Sequence, residues 1–301
     1  MAWQPDRLLP GFEALELPAP DDYDGRVVAT LVRLPVPEAP IGTVRGTVLY
    51  VHGFIDYFFQ RHMAERFAAE GYAFYALDLR KHGRSLLPHQ HPCFCKDLAE
   101  YYADITHALA QIDTDVLLAG HSTGGLICSL YKREGELRDR VRALWLNSPF
   151  FDWRGRGAVQ RQLRIAAFLG RFLPFSYNPN AVLPAYVQSL HRNWDGEWDF
   201  DLTLKPLMGF AAYFGWVRAI FPAHAKVHAG LNLDIPVLSM HSDEADIVLP
   251  WKQAARWSRT LGSHVTVQQF PGGLHDLVLS RAEIRDSVFS QLFAWLARTE
   301  A

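Results

Sequence analysis

Apolar runs alternate with amphipathic segments along most of the chain. Thr47–Val51 (TVLYV) is a continuous apolar run, which is typical of a strand buried on both faces. Similar buried strands are predicted at Tyr72–Leu79, Val116–Ala119, Val141–Leu146, Pro236–Met240 and His264–Phe270. Arg26–Leu34 instead alternates apolar and polar residues, and this pattern predicts an edge strand.

Segments with helical spacing lie between these strands. Helices are predicted over Gln60–Glu70, Asp97–Ile112, a segment beginning at Leu126, a segment beginning at Trp251, and Arg281–Ala297. Strands that alternate with helices indicate an α/β fold with a mostly parallel sheet and helices on both faces. Right-handed crossovers would bring the carboxyl ends of the strands, and with them any active site, to one edge of the sheet.

Residues 150–231 interrupt this alternation. The stretch has no clear strand, is rich in aromatic residues, and is divided by prolines at positions 174, 179, 184, 206 and 222. Because it is too long for a loop inside a compact domain, we predict an inserted helical cap, or lid, over a core formed by residues 1–149 and 232–301. Most of its aromatic side chains are expected to form the core of the cap, and some to line an apolar tunnel.

Arginines accompany the apolar residues of the predicted cap. Residues 161–172 have the pattern of an amphipathic helix with a basic face. The basic positions are Arg154, Arg156, Arg161, Arg164 and Arg171. Transient contact with an anionic membrane surface is one interpretation, and ordinary solvated arginines are the simpler one.

Composition limits the classes of function. The chain has 301 residues, a net charge of −2 and no basic block, so no nucleic-acid-binding surface is indicated. No stretch is long and apolar enough to cross a bilayer, and the first residues lack the apolar centre of a signal peptide. Three cysteines are too few for a disulfide scaffold. We therefore expect a cytoplasmic protein, with no expectation about its oligomeric state.

A candidate nucleophile lies in the run VLLAGHSTGG, residues 116–125. Ser122 lies between Gly120 and Gly124 in the pattern Gly-x-Ser-x-Gly, after a predicted strand and before a predicted helix. Glycines at these places let the strand and the helix pass closely, and the free amides at the helix N-terminus can stabilise negative charge. The pattern predicts that Ser122 is a catalytic nucleophile.

A serine hydroxyl needs an imidazole to accept its proton, and the imidazole needs a carboxylate to orient it. His275 follows the last predicted strand in the sequence FPGGLHD, so it belongs to the same sheet edge as Ser122. Among the competing histidines, His52 and His82 are expected to hold their own turns, and His121 is expected to point away from the serine. His275 is therefore the predicted base.

The acid has two candidates in the loop HSDEADIVLP. Asp246 lies four residues before Pro250, which is expected to open the next helix. Asp243 lies nearer the end of the strand, where it could cap the loop. We favour Asp246 and keep Asp243 as the alternative, the rejected carboxylate being a turn residue.

One group of residues has the types that bind metals. His89, His91, Cys93 and Cys95 (HQHPCFC) are spaced more tightly than the ligands of ordinary zinc sites, and no second ligand pair is evident. We expect surface-loop residues with partly buried thiols here. Neither a metal nor a cofactor is expected, because serine-based hydrolysis requires none.

Five motifs follow one another in the order found in α/β-hydrolases. They are VHGF (51–54), DLRKHGRS (78–85), GHSTGG (120–125), DIVLP (246–250) and GGLHD (272–276). Over about residues 25–150 and 232–298, the chain resembles the serine hydrolases that are similar to monoacylglycerol lipase, lysophospholipase and serine aminopeptidase. This resemblance implies an oxyanion hole formed by the backbone amides of Phe54 and Thr123. Two positions depart from the family pattern: Lys81 replaces a glycine, and Ser242 stands where a glycine is common.

The expected function is hydrolysis of carboxylic esters of hydrophobic, lipid-like substrates through an acyl-enzyme. The apolar cap favours such esters over peptides. A serine aminopeptidase would need an acidic anchor for the substrate amine, for which the cap offers Asp195, Glu197, Asp199 and Asp201. A non-catalytic binding protein with the same fold is the third alternative.

Overall fold

A single mixed sheet organises the computed structural model, which describes residues 2–35, 44–155, 157–178 and 184–299. Within those residues, nine strands are ordered β1-β2-β3-β5-β4-β6-β7-β8-β9. The strands are β1 (Gln4–Pro5), β2 (Glu13–Asp22), β3 (Gly25–Arg33), β4 (Gly46–Val51), β5 (Tyr72–Asp78), β6 (Val116–His121), β7 (Val141–Asn147), β8 (Val237–His241) and β9 (Val265–Gln269).

Eight α-helices accompany these strands in the described ranges. They are α1 (Arg61–Ala69), α2 (Glu100–Leu109), α3 (Thr123–Glu134), α4 (Ala158–Leu169), α5 (Pro184–Leu190), α6 (Phe214–His228), α7 (Trp251–Ser258) and α8 (Ala282–Thr299). The helices and strands predicted from the apolar pattern are all present, with ends that differ by a few residues. β9 was expected to be buried, but it lies at an edge of the sheet and is only partly buried.

The sheet is parallel from β5 through β4, β6, β7 and β8 to β9, and antiparallel from β1 to β5. In this order β4 and β6 are neighbours at the centre, with Val51 paired with Gly120 near their carboxyl ends. The loops that follow β4, β6, β8 and β9 therefore meet at one edge of the sheet.

The predicted position of the third strand is wrong. β3 was expected at an edge, but it lies between β2 and β5 and is buried on both faces over most of its length. The edge is formed instead by β1 and β2. The sequence of β2, EALELPAPDD, lacks the pattern from which a strand is predicted. Its two prolines and four acidic residues hid the strand from the sequence analysis, although edge strands tolerate both residue types.

Apolar cores lie on both faces of the sheet. One contains residues from α2, α3 and α6, such as Tyr101, Leu126 and Ile220, packed against the sheet. The other contains residues from α1 and α8, such as Met63 and Leu292. This two-faced burial explains why the central strands carry uninterrupted Val, Leu and Tyr.

The segment between β7 and β8 contains α4, α5 and α6, which are joined by turns and loops where the structure describes them. We keep the predicted limits, residues 150–231, as the definition of the cap. Arg156 and Pro179, which the sequence singled out, lie outside the described residues. Among the helices that are described, none is both long enough and apolar enough to span a membrane.

Candidate active site

Ser122 occupies a strained turn between β6 and α3. Its φ of 52° lies in the left-handed region, which residues other than glycine rarely adopt. The turn is possible only because two glycines flank it: a Cβ on Gly120 would lie 2.6 Å from the carbonyl oxygen of Gly124, and one on Gly124 would lie 2.3 Å from that of His52. The amide of Ser122 donates to the carbonyl of Asn147 at the end of β7 (3.0 Å), which fixes the turn to the sheet.

Three side chains that lie far apart in the sequence form one hydrogen-bonded chain. His275 Nε2 lies 3.0 Å from Ser122 Oγ, and His275 Nδ1 lies 2.9 Å from Asp246 Oδ2. The imidazole and the carboxylate are each 3% exposed, so water competes little for these bonds. The arrangement has the connectivity in which an imidazole can take a serine proton while a carboxylate stabilises the resulting charge.

Asp246 is held as an anion. Burial alone would raise its pKa, but electrostatic attraction to the His275 ring, the hydrogen bond to that ring, and the amides of Leu249 and Val248 together lower the pKa below its usual value. Those two amides donate to Oδ1 at 2.9 and 2.7 Å, which leaves Oδ2 for the imidazole.

Asp243 has a different role in the same loop. Its Oδ1 accepts from the amides of Ala245 (3.0 Å) and Gly272 (3.1 Å), so it joins the acid loop to the turn that carries His275. These backbone bonds, first of all the one from Ala245, lower the pKa of Asp243. The structure thus brings Asp246 and not Asp243 to the imidazole.

Phe54 and Thr123, whose backbone amides are predicted to form the oxyanion hole, line the same cavity as Ser122. Leu79 donates its amide to His52 Nε2 (3.1 Å), so Nδ1 carries the ring proton and donates to the carbonyl of Gly53 (2.7 Å). Because C=O and N–H point in opposite directions across a trans peptide, this bond turns the amide of Phe54 away from His52. Thr123 is the first residue of α3, and neither amide has a backbone acceptor among the described residues.

A cavity of about 850 Å³ opens above the serine. The core contributes Phe54, Ser122, Thr123 and His275, and the cap contributes mainly apolar side chains. The cap residues include Trp153, Val159, Leu163, Ile165, Ala166, Leu169, Tyr177, Tyr186, Phe214, Trp216 and Val217. A cavity of this size and lining suits a largely apolar molecule.

The expected orientation of His121 is wrong. Its ring lies 4.8 Å from that of His275 and contributes to the cavity wall, while Nδ1 contacts the carbonyl of Asn147 at 3.1 Å. Burial lowers the pKa of this ring. The strained turn at Ser122 ends the regular alternation of side chains, so strand geometry could not predict where His121 points.

A buried polar network behind His275 was not foreseen. Asp276 is fully buried and accepts from Asn147 Nδ2 (2.7 Å) and Gln60 Nε2 (3.3 Å). Asn147 Oδ1 in turn accepts from the amide of Leu277 (3.2 Å). Asn147 therefore contacts both the turn of Ser122 and the turn of His275, a role that only the folded arrangement reveals.

Lys81, which departs from the family pattern, adopts a left-handed backbone conformation of the kind that favours glycine. Its φ is 62°, and its buried ammonium pairs with Asp24 (2.7 Å) and Asp22 (2.8 Å) in the β2–β3 hairpin. The ion pairs compensate the buried charge, which an unpaired lysine could not tolerate.

The candidate metal-binding residues of HQHPCFC have other partners. Burial raises the pKa of the Cys93 and Cys95 thiols, and His91 pairs with Asp24 at 2.8 Å. In the described part of the chain, the group that brings three ligand atoms within 4.8 Å of one another is a different one, namely Asp56, His121 and Asp276. Its two carboxylates already bond with Lys205 and Asn147, so a cation would have to displace these donors.

Comparisons with known proteins identify the family of the chain. Residues 42–281 match the family model described as "Serine aminopeptidase, S33". A non-heme haloperoxidase of Rhodococcus erythropolis is 25% identical over 255 residues, which cover 75% of this chain and 82% of that protein. A monoacylglycerol lipase of Mycolicibacterium smegmatis is 36% identical over 138 residues, 43% of this chain and 46% of that protein.

The same fold occurs in a solved structure of a soluble variant of monoglyceride lipase from Saccharomyces cerevisiae in complex with a substrate analog. The TM-score is 0.72 at 20% identity, and the match covers 95% of this chain and 97% of the other. At this identity the likeness concerns the fold alone.

Proposed function

Because the chain belongs to the serine aminopeptidase S33 family of α/β-hydrolases, we propose that it hydrolyses carboxylic esters of hydrophobic, lipid-like acyl groups. The observation that carries this proposal is the hydrogen-bonded chain Ser122–His275–Asp246 at the base of a largely apolar cavity.

In the proposed mechanism, Ser122 Oγ attacks the ester carbonyl while His275 Nε2 accepts the hydroxyl proton. Asp246 stabilises the imidazolium that forms. The amides of Phe54 and Thr123 stabilise the oxyanion, and one such donor contributes roughly 3 kcal/mol to the transition state. His275 then protonates the leaving alcohol, and water releases the acid from the acyl-enzyme by the same steps in reverse.

The cavity supports an ester substrate better than a peptide with a free amine. Asp56 is the single carboxylate on the cavity wall in the described part of the chain, and it is already paired with Lys205 at 2.7 Å. The acidic cap residues considered as amine anchors are exposed and lie outside the cavity lining. Aminopeptidase activity remains the second candidate because the family model carries that description.

The cap also supports a proposal that the protein makes transient contact with a lipid surface. Phe168 is 66% exposed, Phe172 is 65% exposed, and Arg164 and Arg171 lie nearby in sequence. Exposed aromatic residues beside arginines suit transient contact with an anionic lipid surface. Free, buried thiols at all three cysteines are compatible with the reducing environment of the cytoplasm, which we keep as the proposed location.

The decisive experiment replaces the nucleophile. Ser122→Ala should lower the turnover of p-nitrophenyl acyl esters by roughly four to six orders of magnitude and abolish labelling by a fluorophosphonate probe. Ser129→Ala is the matched control, because Ser129 lies in the same helix and its hydroxyl bonds to the carbonyl of Gly125. If the probe does not label the wild-type protein, the non-catalytic alternative is favoured.

A series of substrates separates the two enzymatic candidates. Wild-type protein is assayed with acyl esters of increasing chain length and with aminoacyl p-nitroanilides. We expect kcat/KM to rise with acyl length and turnover of the anilides to be negligible. Faster hydrolysis of the anilides than of the esters would favour aminopeptidase activity over the proposed esterase activity.

A further inference from the structure

The loop that carries the Phe54 amide is strained. It follows β4 and consists of residues 53–56, which we call the oxyanion loop. Ile55 within it has a φ of 52°, a conformation unfavourable for a β-branched residue. A strained loop of this kind keeps its shape only where contacts on both sides hold it.

The core holds one side of the oxyanion loop through His52, whose ring donates to the carbonyl of Gly53. Beyond that residue the core adds the amide of Tyr57, which donates to Asp56 Oδ1 at 3.0 Å, and the cap adds two further contacts. The ring of Phe54 stacks on Trp216 of α6, with centroids 3.9 Å apart and planes 20° apart. Asp56 Oδ1 accepts from the ammonium of Lys205 at 2.7 Å.

The Lys205–Asp56 pair is unusual because both side chains are 2% exposed. A buried ammonium is costly unless it is paired, and this one has no part in the proposed proton transfers. Lys205 is also absent from the cavity lining, so it cannot meet the substrate directly. Its contacts are with the loop and with the aromatic rings of Phe59, Tyr186 and Phe200, at 5.4 to 5.6 Å.

The cap segment that carries Lys205 is itself seated on the core. The amide of Asp201 donates to the hydroxyl of Tyr57 (2.7 Å), and the amide of Lys205 donates to the carbonyl of Asp201 (3.0 Å). The Phe200 ring lies 4.9 Å from that of Phe59. These contacts fix the origin of the lysine side chain, so its ammonium can hold Asp56 in place.

We propose that Lys205 and Trp216 are positioning residues, through which the cap fixes the Phe54 amide in the geometry that receives the oxyanion. This inference rests on the proposed function. Its consequence is that the cap contributes to the rate of the chemical step as well as enclosing the substrate, since it supplies two of the contacts that hold the oxyanion loop.

The test removes the pair without leaving a buried charge. In Lys205→Met/Asp56→Asn both charges are lost, which avoids the destabilisation expected from Lys205→Met alone. We expect a folded enzyme whose kcat falls about tenfold to a hundredfold with little change in KM, because a displacement of about 1 Å affects the transition state more than the bound ground state.

A second readout isolates the oxyanion. A trifluoromethyl ketone with a long alkyl chain adds to the serine and forms a hemiketal anion, whereas the matching methyl ketone binds without forming it to the same extent. The inhibition constant of the first compound should rise in parallel with the loss of kcat, and that of the second should stay constant. A purely structural defect would change both constants together.

Lys226→Met is the matched control. Lys226 also joins the cap to the core, through a 2.7 Å contact with Glu134, but the pair is largely exposed and belongs to α6 and α3. It should leave kcat and both inhibition constants unchanged. An equal loss in this variant would show that any cap–core contact has the same effect and would overturn the specific role of Lys205.

If the double variant does not fold, Phe54→Ala provides the test, because it removes the ring stack and keeps the backbone amide. The same fall in kcat is expected. Because the Phe54 ring also lines the cavity, the inhibition constant of the methyl ketone can change, but that of the trifluoromethyl ketone should rise more. A folded variant of either kind with wild-type kcat overturns the inference while leaving the esterase proposal intact. If the wild-type protein itself does not hydrolyse esters, the proposed function is refuted.

Discussion

The cap has two parts that bury their apolar residues very differently. We call residues 157–178, which include α4, the α4 arm, and residues 184–228, which include α5 and α6, the α6 arm. In α6, eight residues are buried, among them Trp216, Ile220 and His224. In α4 none is, although the helix is amphipathic.

This difference indicates a division of labour within the cap. The α6 arm packs into the core beside α3 and carries the contacts to the oxyanion loop. The α4 arm packs on α6 and lines the cavity, while its large residues Phe168 and Phe172 remain exposed. Apolar residues that folding does not bury are available to a substrate or a lipid surface.

The largest expected effect compares one substitution in the two arms. Ile220 is fully buried and Ile165 is 52% exposed. Ile220→Ala should lower the free energy of unfolding by about 3 kcal/mol, because it removes buried methyl groups and leaves a cavity. Ile165→Ala should change it by less than about 0.5 kcal/mol. Urea denaturation measures both values, and similar losses would contradict the division between the arms.

A smaller effect concerns binding to lipid. Phe168→Ser/Phe172→Ser removes two exposed rings from the α4 arm and should weaken partitioning to anionic phosphatidylglycerol vesicles by roughly tenfold, since less apolar area is buried at the interface. Met208→Ser is the control, because this residue is 64% exposed but lies on the α6 arm. Vesicle sedimentation gives the partition constants. Equal weakening in both variants would mean that the lipid contact is not confined to the α4 arm.

The sequence was informative where function depends on local geometry. The elbow at Ser122 requires glycines at fixed places, and the carboxyl ends of adjacent parallel strands meet at one edge, so Ser122, Asp246 and His275 could be predicted to lie together. The structure joins these three side chains by hydrogen bonds. The choice of Asp246 over Asp243 followed from its distance to a helix-opening proline.

The sequence was less informative where tertiary contacts decide. β3 was expected at an edge because its pattern alternates, and the acidic, proline-containing β2 beside it was missed. Nothing near Lys205 in the sequence indicates that its partner is Asp56, almost 150 positions away. Asn147 likewise joins the two catalytic turns through contacts that no local pattern encodes.

The smallest expected effect is a pH dependence located in the α6 arm. Burial lowers the pKa of His224 from 6.5 to about 3, although its hydrogen bond to the carbonyl of Phe150 opposes this shift. The folded protein therefore keeps His224 neutral, while the unfolded chain takes up a proton at this histidine below pH 6.5. Proton uptake favours the unfolded chain, so the free energy of unfolding is undiminished above pH 6.5 and decreases as the pH falls toward 3. Between pH 7.5 and 6.0 this histidine should account for a loss of about 0.8 kcal/mol in the free energy of unfolding.

His224→Gln retains an amide that can donate to Phe150 and removes the titrating group, so its stability should fall less over that pH interval by the same amount. Urea denaturation at the two pH values measures the difference. His62 and His82, whose pKa values are also lowered by burial, to about 4 and about 3, remain in both proteins, and their contributions cancel in the comparison. An identical pH dependence in variant and wild type would mean that the α6 arm opens around His224 before the rest of the protein unfolds. The α6 arm would then not be the more stably packed part of the cap.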